Sequence, residues 1–152
     1  MNDALDRLAR ELALDAPEQA HLRHAFAHAC VARVRHLLED AQVTACLDGF
    51  AEWLAGDRDD ACRLALAAQA AALANHHPGS RSIDGCGHAA VSATYAVARA
   101  LAGDARQAAD YAAYATVYAQ GGSAAVADRD SFESEFRWQA RCLEQLAATR
   151  TP

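Results

Sequence analysis

Histidine, serine, tyrosine and arginine meet at helical spacing in one stretch of this chain: His88, Ser92, Tyr95 and Arg99. On a helix these four fall within about 60° of one another, opposite Ile83, Val97 and Leu101. Two readings are open. The four can be the wet strip of an otherwise buried helix, or a hydrogen-bonded network or recognition groove between helices. A Ser near a His suggests nucleophilic catalysis, but that chemistry needs a base held by an orienting acid in convergent geometry. Here Ser92 and His88 lie four apart on one helix with no acid placed to orient the His. A second stripe, Tyr111, Tyr114 and Tyr118, recurs at i, i+3, i+7 beside Gln107. It reads either as a core or hairpin edge, or as an interaction surface, because Tyr joins a large contact area to a polar tip.

Other candidates carry less. His21, His24 and His28 share one helical stripe, but 21 and 28 are separated by about 10.5 Å of helix rise. Imidazoles so far apart cannot both ligate one ion at about 2.0–2.1 Å. At most His24 and His28 act together, and the stripe, which also holds Arg35 and Glu39, is expected to be a solvated face. His76 and His77 precede Pro78 in a loop. The acidic cluster Asp57, Asp59, Asp60 answers a helix N-terminus before it suggests calcium. Five cysteines stand far apart with no CxxC, as small buried thiols do. There is no glycine-rich phosphate loop, zinc spacing or paired-carboxylate motif, so the residues imply no cofactor, no metal and no enzyme.

The elements that must position these residues are helices. Ala is the commonest residue, Gly and Pro are sparse, and β-branched residues are few, which favours helix throughout. Caps and breakers place seven. The first runs from about Ala4 to Leu14 behind Asn2 or Asp3. The second is capped by Asp15, carries Pro17 in its first turn and continues to about Asp40. The third covers about Val43 to Ala55 and the fourth Asp59 to Asn75. After the break at His76 to Ser80 comes the fifth, about Ser82 to Ala102. The sixth, Ala105 to Gln120, is ended by Gly121 and Gly122. The last opens on Asp130 and Glu133 as a capping-box variant and ends near Ala148.

Leu54-Ala55-Gly56-Asp57 recurs as Leu101-Ala102-Gly103-Asp104, each reading as a helix C-terminus with a left-handed Gly and a capping Asp. Gly85, Ala89, Ala93, Ala96 and Ala100 line one face of the fifth helix, and Ala108, Ala112, Ala115 and Ala119 one face of the sixth. Faces so small let two backbones approach closely. The expectation is a single all-α domain, a compact bundle of about seven helices built from stacked αα-hairpins, with Trp53 and Trp138 filling the core where hairpins meet.

The chain has 152 residues, enough for one core, and a net charge of −6. That charge argues against non-specific nucleic-acid binding, which needs clustered cations, and is compatible with a basic protein partner. All 14 basic residues are Arg. The start lacks a secretory pattern, and the most apolar stretch, Ala61 to Ala74, is interrupted by Arg63 and Gln69. A cytoplasmic protein that does not enter the membrane is expected.

The run DGCGHAAVSATYAVARALAGDARQAADYAAYA resembles the hallmark segment of a bacterial immunity-protein family, the immunity protein five-like domain. Gly87-His88 and Tyr111-Ala112 stand where that family has a Gly-His pair and a Tyr-Ala. AFAHACVARVRHLLED, CLDGFAEWLAGD with Trp53, and FRWQARCLEQL with Trp138 and Gln139 resemble its other helices. The resemblance spans about residues 25–146. One departure is Glu-Asp-Ala-Gln-Val-Thr, where the family has a Pro/Asp/Arg-rich turn. The resemblance implies an all-α, non-catalytic protein that neutralises a cognate toxin by binding it, and it assigns no binding residue. The alternative from another class is a helical-bundle enzyme using His88 with a second histidine for a small ligand or a metal.

Overall fold

Four helices open on a side-chain oxygen that accepts a first-turn N–H, which supplies one of the partners a helix start lacks. Asn2 accepts from Leu5 at the head of α1 (Asp3–Glu11), and Asp40 from Gln42 at the head of α3 (Ala41–Leu54). Asp59 accepts from Cys62 before α4 (Asp60–Asn75), and Asp104 from Gln107 before α6 (Ala105–Ala127). With α2 (Ala20–Ala32), α5 (Cys86–Leu101) and α7 (Glu133–Thr149) they make seven helices and an all-α fold among the described residues. The computed structural model describes residues 2–77 and 86–149, apart from the side chains of residues 86 and 87. The expected break at Pro78 to Ser80, and Ser82, Ile83 and Gly85 at the expected head of the fifth helix, lie outside the described residues.

The core is built around α2, which packs on α6, α5, α7 and α3. Leu22, Phe26, Cys30 and Val31 of α2 meet Phe50 and Leu47 of α3, Leu101 of α5 and Leu143 of α7, all buried. The most extensive helix pair is α5 on α6. Ala89, Ala93, Ala96 and Ala100 on one side and Ala108, Ala112 and Ala115 on the other are buried, as their spacing predicts, whereas Ala119 is exposed. The turn between them uses Gly103 at φ +85°, and its sequence twin Gly56 sits at φ +88°. Only glycine adopts that left-handed conformation without steric cost. The two turns then differ. Asp104 caps α6 directly, but in the first copy the cap passes from Asp57 to Asp59.

Other boundaries also differ from expectation. Pro17 opens a short 3-10 turn, Pro17–Gln19, with Ala16 rather than Asp15 before it, so α2 begins only at Ala20. That helix stops at Ala32 instead of reaching Asp40. The chain passes through a second 3-10 turn, Arg35–Leu37, because Asp40 is used as the cap of α3. The glycines do break the helix where expected: Gly122, at φ 65° and ψ −153°, ends its regular run, and beyond this kink the chain takes up a further short helical stretch as far as Ala127. Asp128 rather than Asp130 then caps the 3-10 turn Arg129–Phe132 that leads into α7.

Polar pairs that sequence spacing did not mark tie α7 and α1 into the bundle. The guanidinium of Arg33 donates twice to Glu135, at 2.8 Å each, and lies 4.0 Å over the ring of Trp138. Gln139 is buried; its amide donates to the Ala109 carbonyl (2.8 Å), and its oxygen accepts from Asn2 Nδ2 (3.2 Å). Trp53 and Trp138 are half-buried against the core rather than inside it, each under an arginine, since Arg63 lies 5.1 Å over Trp53. No helix among the described residues is long and apolar enough to cross a membrane.

Candidate functional site

Helix α5 is buried on the sides that meet α2, α4 and α6, and its remaining side is where His88 and Arg99 are exposed and Tyr95 half-exposed. Ser92, at 7% exposure, belongs to the buried side. The tyrosine stripe of α6 lies against this edge. The His88 ring sits 5.2 Å from Tyr118, and Tyr95 stacks on Tyr111 at 5.4 Å. The two pairs advance by the same step in opposite directions along the two helices. The hairpin is therefore antiparallel in one register, which sets Arg99 level with Gln107. The two stripes predicted separately form one band, with Ser92 beneath it.

Tyr114 carries the band onward. It is 37% exposed, one of two large apolar or aromatic side chains left open to solvent among the described residues, the other being Leu64 on α4. Its ring lies 4.8 Å from Tyr118 and 6.4 Å from Phe132, which in turn lies 5.4 Å from Phe136. A continuous run of rings thus crosses from α5 over α6 to α7. A long 3.5 Å O–H···O contact to Tyr118, together with desolvation, pushes the Tyr114 phenol up to about 12. It is a neutral donor at any physiological pH.

Beside Tyr114, Phe132 and Phe136 opens a groove of about 1040 Å³ between the head of α1, α6 and α7. Asp110, one turn before Tyr114, forms one wall, and Arg129 and Arg141 reach its rim. Desolvation raises the Asp110 carboxyl above its usual range, opposed first by the N-terminal ammonium and less by Arg106. Sequence reasoning missed this groove. Phe132 and Phe136 at i, i+4 were the available mark, and the glycine pair marked the break in α6, but where the chain goes after that break is not visible as a pattern.

The histidine stripe of α2 is a correction. His24 is not solvated; it is 6% exposed, edge-on to Trp53 (4.9 Å) and Phe50 (5.9 Å). Phe50 and Trp53, one turn apart on α3, present the apolar wall that draws it in. Its Nδ1 lies 2.8 Å from the Ala20 carbonyl, which can only accept, so Nδ1 holds the proton and Nε2 is an acceptor. That Nε2 has no protein partner and faces Gly103. His28 is half-buried against Phe50 (5.6 Å). Burial pushes both imidazoles below their ordinary value. Arg35 is exposed and pairs with Asp48 at 3.0 Å, leaving His21 as the solvated histidine of the stripe.

Asp60 accepts from Trp53 Nε1 at 2.9 Å, and Asp59 is a cap, so the acidic cluster has structural work. Burial raises the Cys30, Cys46 and Cys142 thiols, which stay protonated. Among the described residues no three His, Cys, Asp or Glu side chains are grouped to hold a metal. Among the described residues no Asp or Glu is seen to hydrogen-bond His88, whose described neighbour is the Tyr118 ring. The arrangement offers contact area, aromatic faces and a few charges: the materials of recognition. The chain matches no protein-family model, no curated protein and no solved structure.

Proposed function

We propose that this chain is a binding protein of the immunity type, which neutralises a bacterial toxin by covering its working surface through the α5–α6 edge. The observation that carries the reading is the joining of His88, Tyr95, Arg99, Tyr111, Tyr114 and Tyr118 into one outward band on a rigid, close-packed hairpin. Tyr and Arg are the residue types that dominate interface hot spots, and a rigid helix pair loses little entropy on binding. The resemblance of residues 25–146 to the immunity protein five-like domain supplies the kind of partner. The opposing reading, an enzyme built on His88 and a second histidine, has no observation in its favour: His24 is enclosed behind Trp53, and His88 stacks on Tyr118.

The test is titration of the purified chain with the product of a toxin gene encoded beside its own. Tyr95→Ala, Arg99→Ala and Tyr114→Ala are measured for affinity and for melting temperature. A hot spot loses about 2 kcal/mol or more of binding with folding intact. Three variants that melt early, or three that bind as the parent does, make the band scaffold and sink the proposal.

A further inference from the structure

Helix α4 departs from the pattern of the other outer helices. α1 and α7 turn charged side chains to solvent, Arg7 and Arg10 on the first, Arg137, Arg141 and Glu144 on the second. α4 packs on α3 and α5; Ala70 and Ala74 are buried on that side, with Leu66 and Leu73 half-buried. The opposite half of the helix is open and holds Ala61, Leu64, Ala65, Ala68, Ala71 and Ala72, all exposed, with Gln69 at its margin. From Leu64 to His77 there is no Asp, Glu, Lys or Arg. Leu64, at 58%, is the most exposed large apolar side chain among the described residues. A helix that is apolar all round is one that is covered all round. The ionisable groups stand instead at the two ends, Asp59 and Asp60 at the head and His76 and His77 just past the tail.

We propose that this face joins two copies of the chain, α4 lying antiparallel to its counterpart across a two-fold axis at Ala68. The face is self-complementary about that residue. Leu64 comes opposite the partner's Ala72, a large side chain on a small one, and Ala65 opposite the partner's Ala71. Asp60 and Asp59 come opposite the partner's His76 and the partner's His77, carboxylate acceptors facing ring N–H donors. The antiparallel helix dipoles favour the same arrangement. Small faces admit close approach of two backbones, and this chain already pairs two of them in α5 and α6. The open face lacks the Tyr, Trp and Arg that anchor unlike partners, and its neutral middle offers an oppositely charged partner nothing to answer. The net charge of −6 opposes self-association over most of the surface, but not across an uncharged face. α4 has 16 residues, about 24 Å of helix, and half its lateral surface is roughly 400–500 Å². Two copies together bury about 800–1,000 Å², the low end of specific interfaces, so the dimer is reversible. The inference is independent of the binding reading, since no residue of the aromatic band lies on α4.

The test is sedimentation equilibrium of the full chain, with no toxin present. The average mass should rise from monomer at about 5 μM toward dimer at about 500 μM, as a small reversible interface requires. Ala68→Glu sets two like charges against each other at the axis and should raise the dissociation constant at least tenfold, with the melting temperature unchanged because the site is exposed. Ala148→Glu, an exposed alanine on α7, should leave it unchanged. His76→Glu, which puts a carboxylate opposite Asp60 of the partner subunit, should raise it at least threefold. Cysteine cross-linking reads the register. Under mild oxidation Ala68→Cys should form a covalent dimer at least fivefold faster than Ala61→Cys, whose two copies lie about 21 Å apart along the antiparallel pair. The parent supplies the background rate of its own thiols. A chain that stays monomeric throughout, a dimer that Ala68→Glu leaves intact, or equal cross-linking at 61 and 68 each overturns the proposal. The first two outcomes leave α4 to a different occupant, and the third excludes the antiparallel pairing. None of them bears on toxin binding, which is read from the α5–α6 variants.

Discussion

Replacing Gly103 by Ala should cost more than replacing Gly56 by Ala, although the two glycines occupy the same place in the repeated Leu-Ala-Gly-Asp turn. Their backbones are nearly identical, at φ +85° and +88°, so the left-handed strain of an added Cβ, about 1–2 kcal/mol, is common to both. A Cβ at Gly56 meets nothing within 4 Å, whereas one at Gly103 lies 3.4 Å from His24 Nε2. That distance is at the tight edge of real Cβ contacts, and His24 cannot swing away freely, because its Nδ1 is held 2.8 Å from the Ala20 carbonyl and its ring is wedged edge-on against Trp53; overpacking of this kind costs about 1–3 kcal/mol. Gly56→Ala is therefore expected to lose about 1–2 kcal/mol and Gly103→Ala about 2–5 kcal/mol. For a chain of this size each kcal/mol is about 2–4 °C in melting temperature. Urea denaturation of the two variants beside the parent reads the difference directly. Equal losses would refute the reasoning, since Gly103 would then be a turn residue and nothing more.

Ala112→Leu should overpack the α5–α6 contact at a cost of about 1–3 kcal/mol, while Ala119→Leu, exposed on the same stripe, should stay within about 0.5 kcal/mol; calorimetric melting compares them. His24 and His28 have folded pKa values below the unfolded one. Both states are neutral above about pH 6.5, and below it the unfolded chain takes up protons first. Stability should thus hold from pH 8 to 7 and fall as pH drops through 6 and below, with a shallower fall in His28→Gln; a pH series of urea midpoints checks both. Arg33→Ala strands Glu135, whose side chain is 6% exposed, and should cost about 2–3 kcal/mol, less than a fully buried pair because Arg33 itself is 40% exposed. A double-mutant cycle with Glu135→Ala should recover part of that loss.

Much of the fold is legible in the sequence because its determinants are local. Asp104 caps where the repeat places it, Asn2 is one of the two caps expected for the first helix, and Gly56 and Gly103 take the left-handed turns, whereas the cap expected at Asp57 falls on Asp59. The alanine faces of α5 and α6 meet because small residues at helical spacing leave no other close partner. The departures come from competition between neighbouring signals. Asp40 serves α3, so α2 does not run on to it, and after the glycine stop at Gly122 the chain takes up helix again, which the glycines alone do not signal. The candidate surface divides the same way. Periodicity put His88, Tyr95 and Arg99 on one stripe and the tyrosines on another, but joining them needs the register of the hairpin, and assigning Ser92 to the buried side needs the neighbours of α5. His24 escaped because a helical stripe shared with Arg35 and Glu39 reads as wet, while its burial depends on Phe50 and Trp53 arriving from another helix. The groove at Asp110, Phe132 and Phe136 is tertiary, formed where the distant head of α1 meets the consecutive α6 and α7.

The measurement that bears most directly on the proposed role is bacterial growth with a toxin gene identified beside this chain's own induced, in the presence of the parent chain or of Arg99→Ala combined with Tyr114→Ala. The account predicts that the parent restores growth and that the double variant, purified with an unchanged melting temperature, does not. Growth arrest that the parent chain fails to relieve, or relief that the double variant provides equally well, would contradict it.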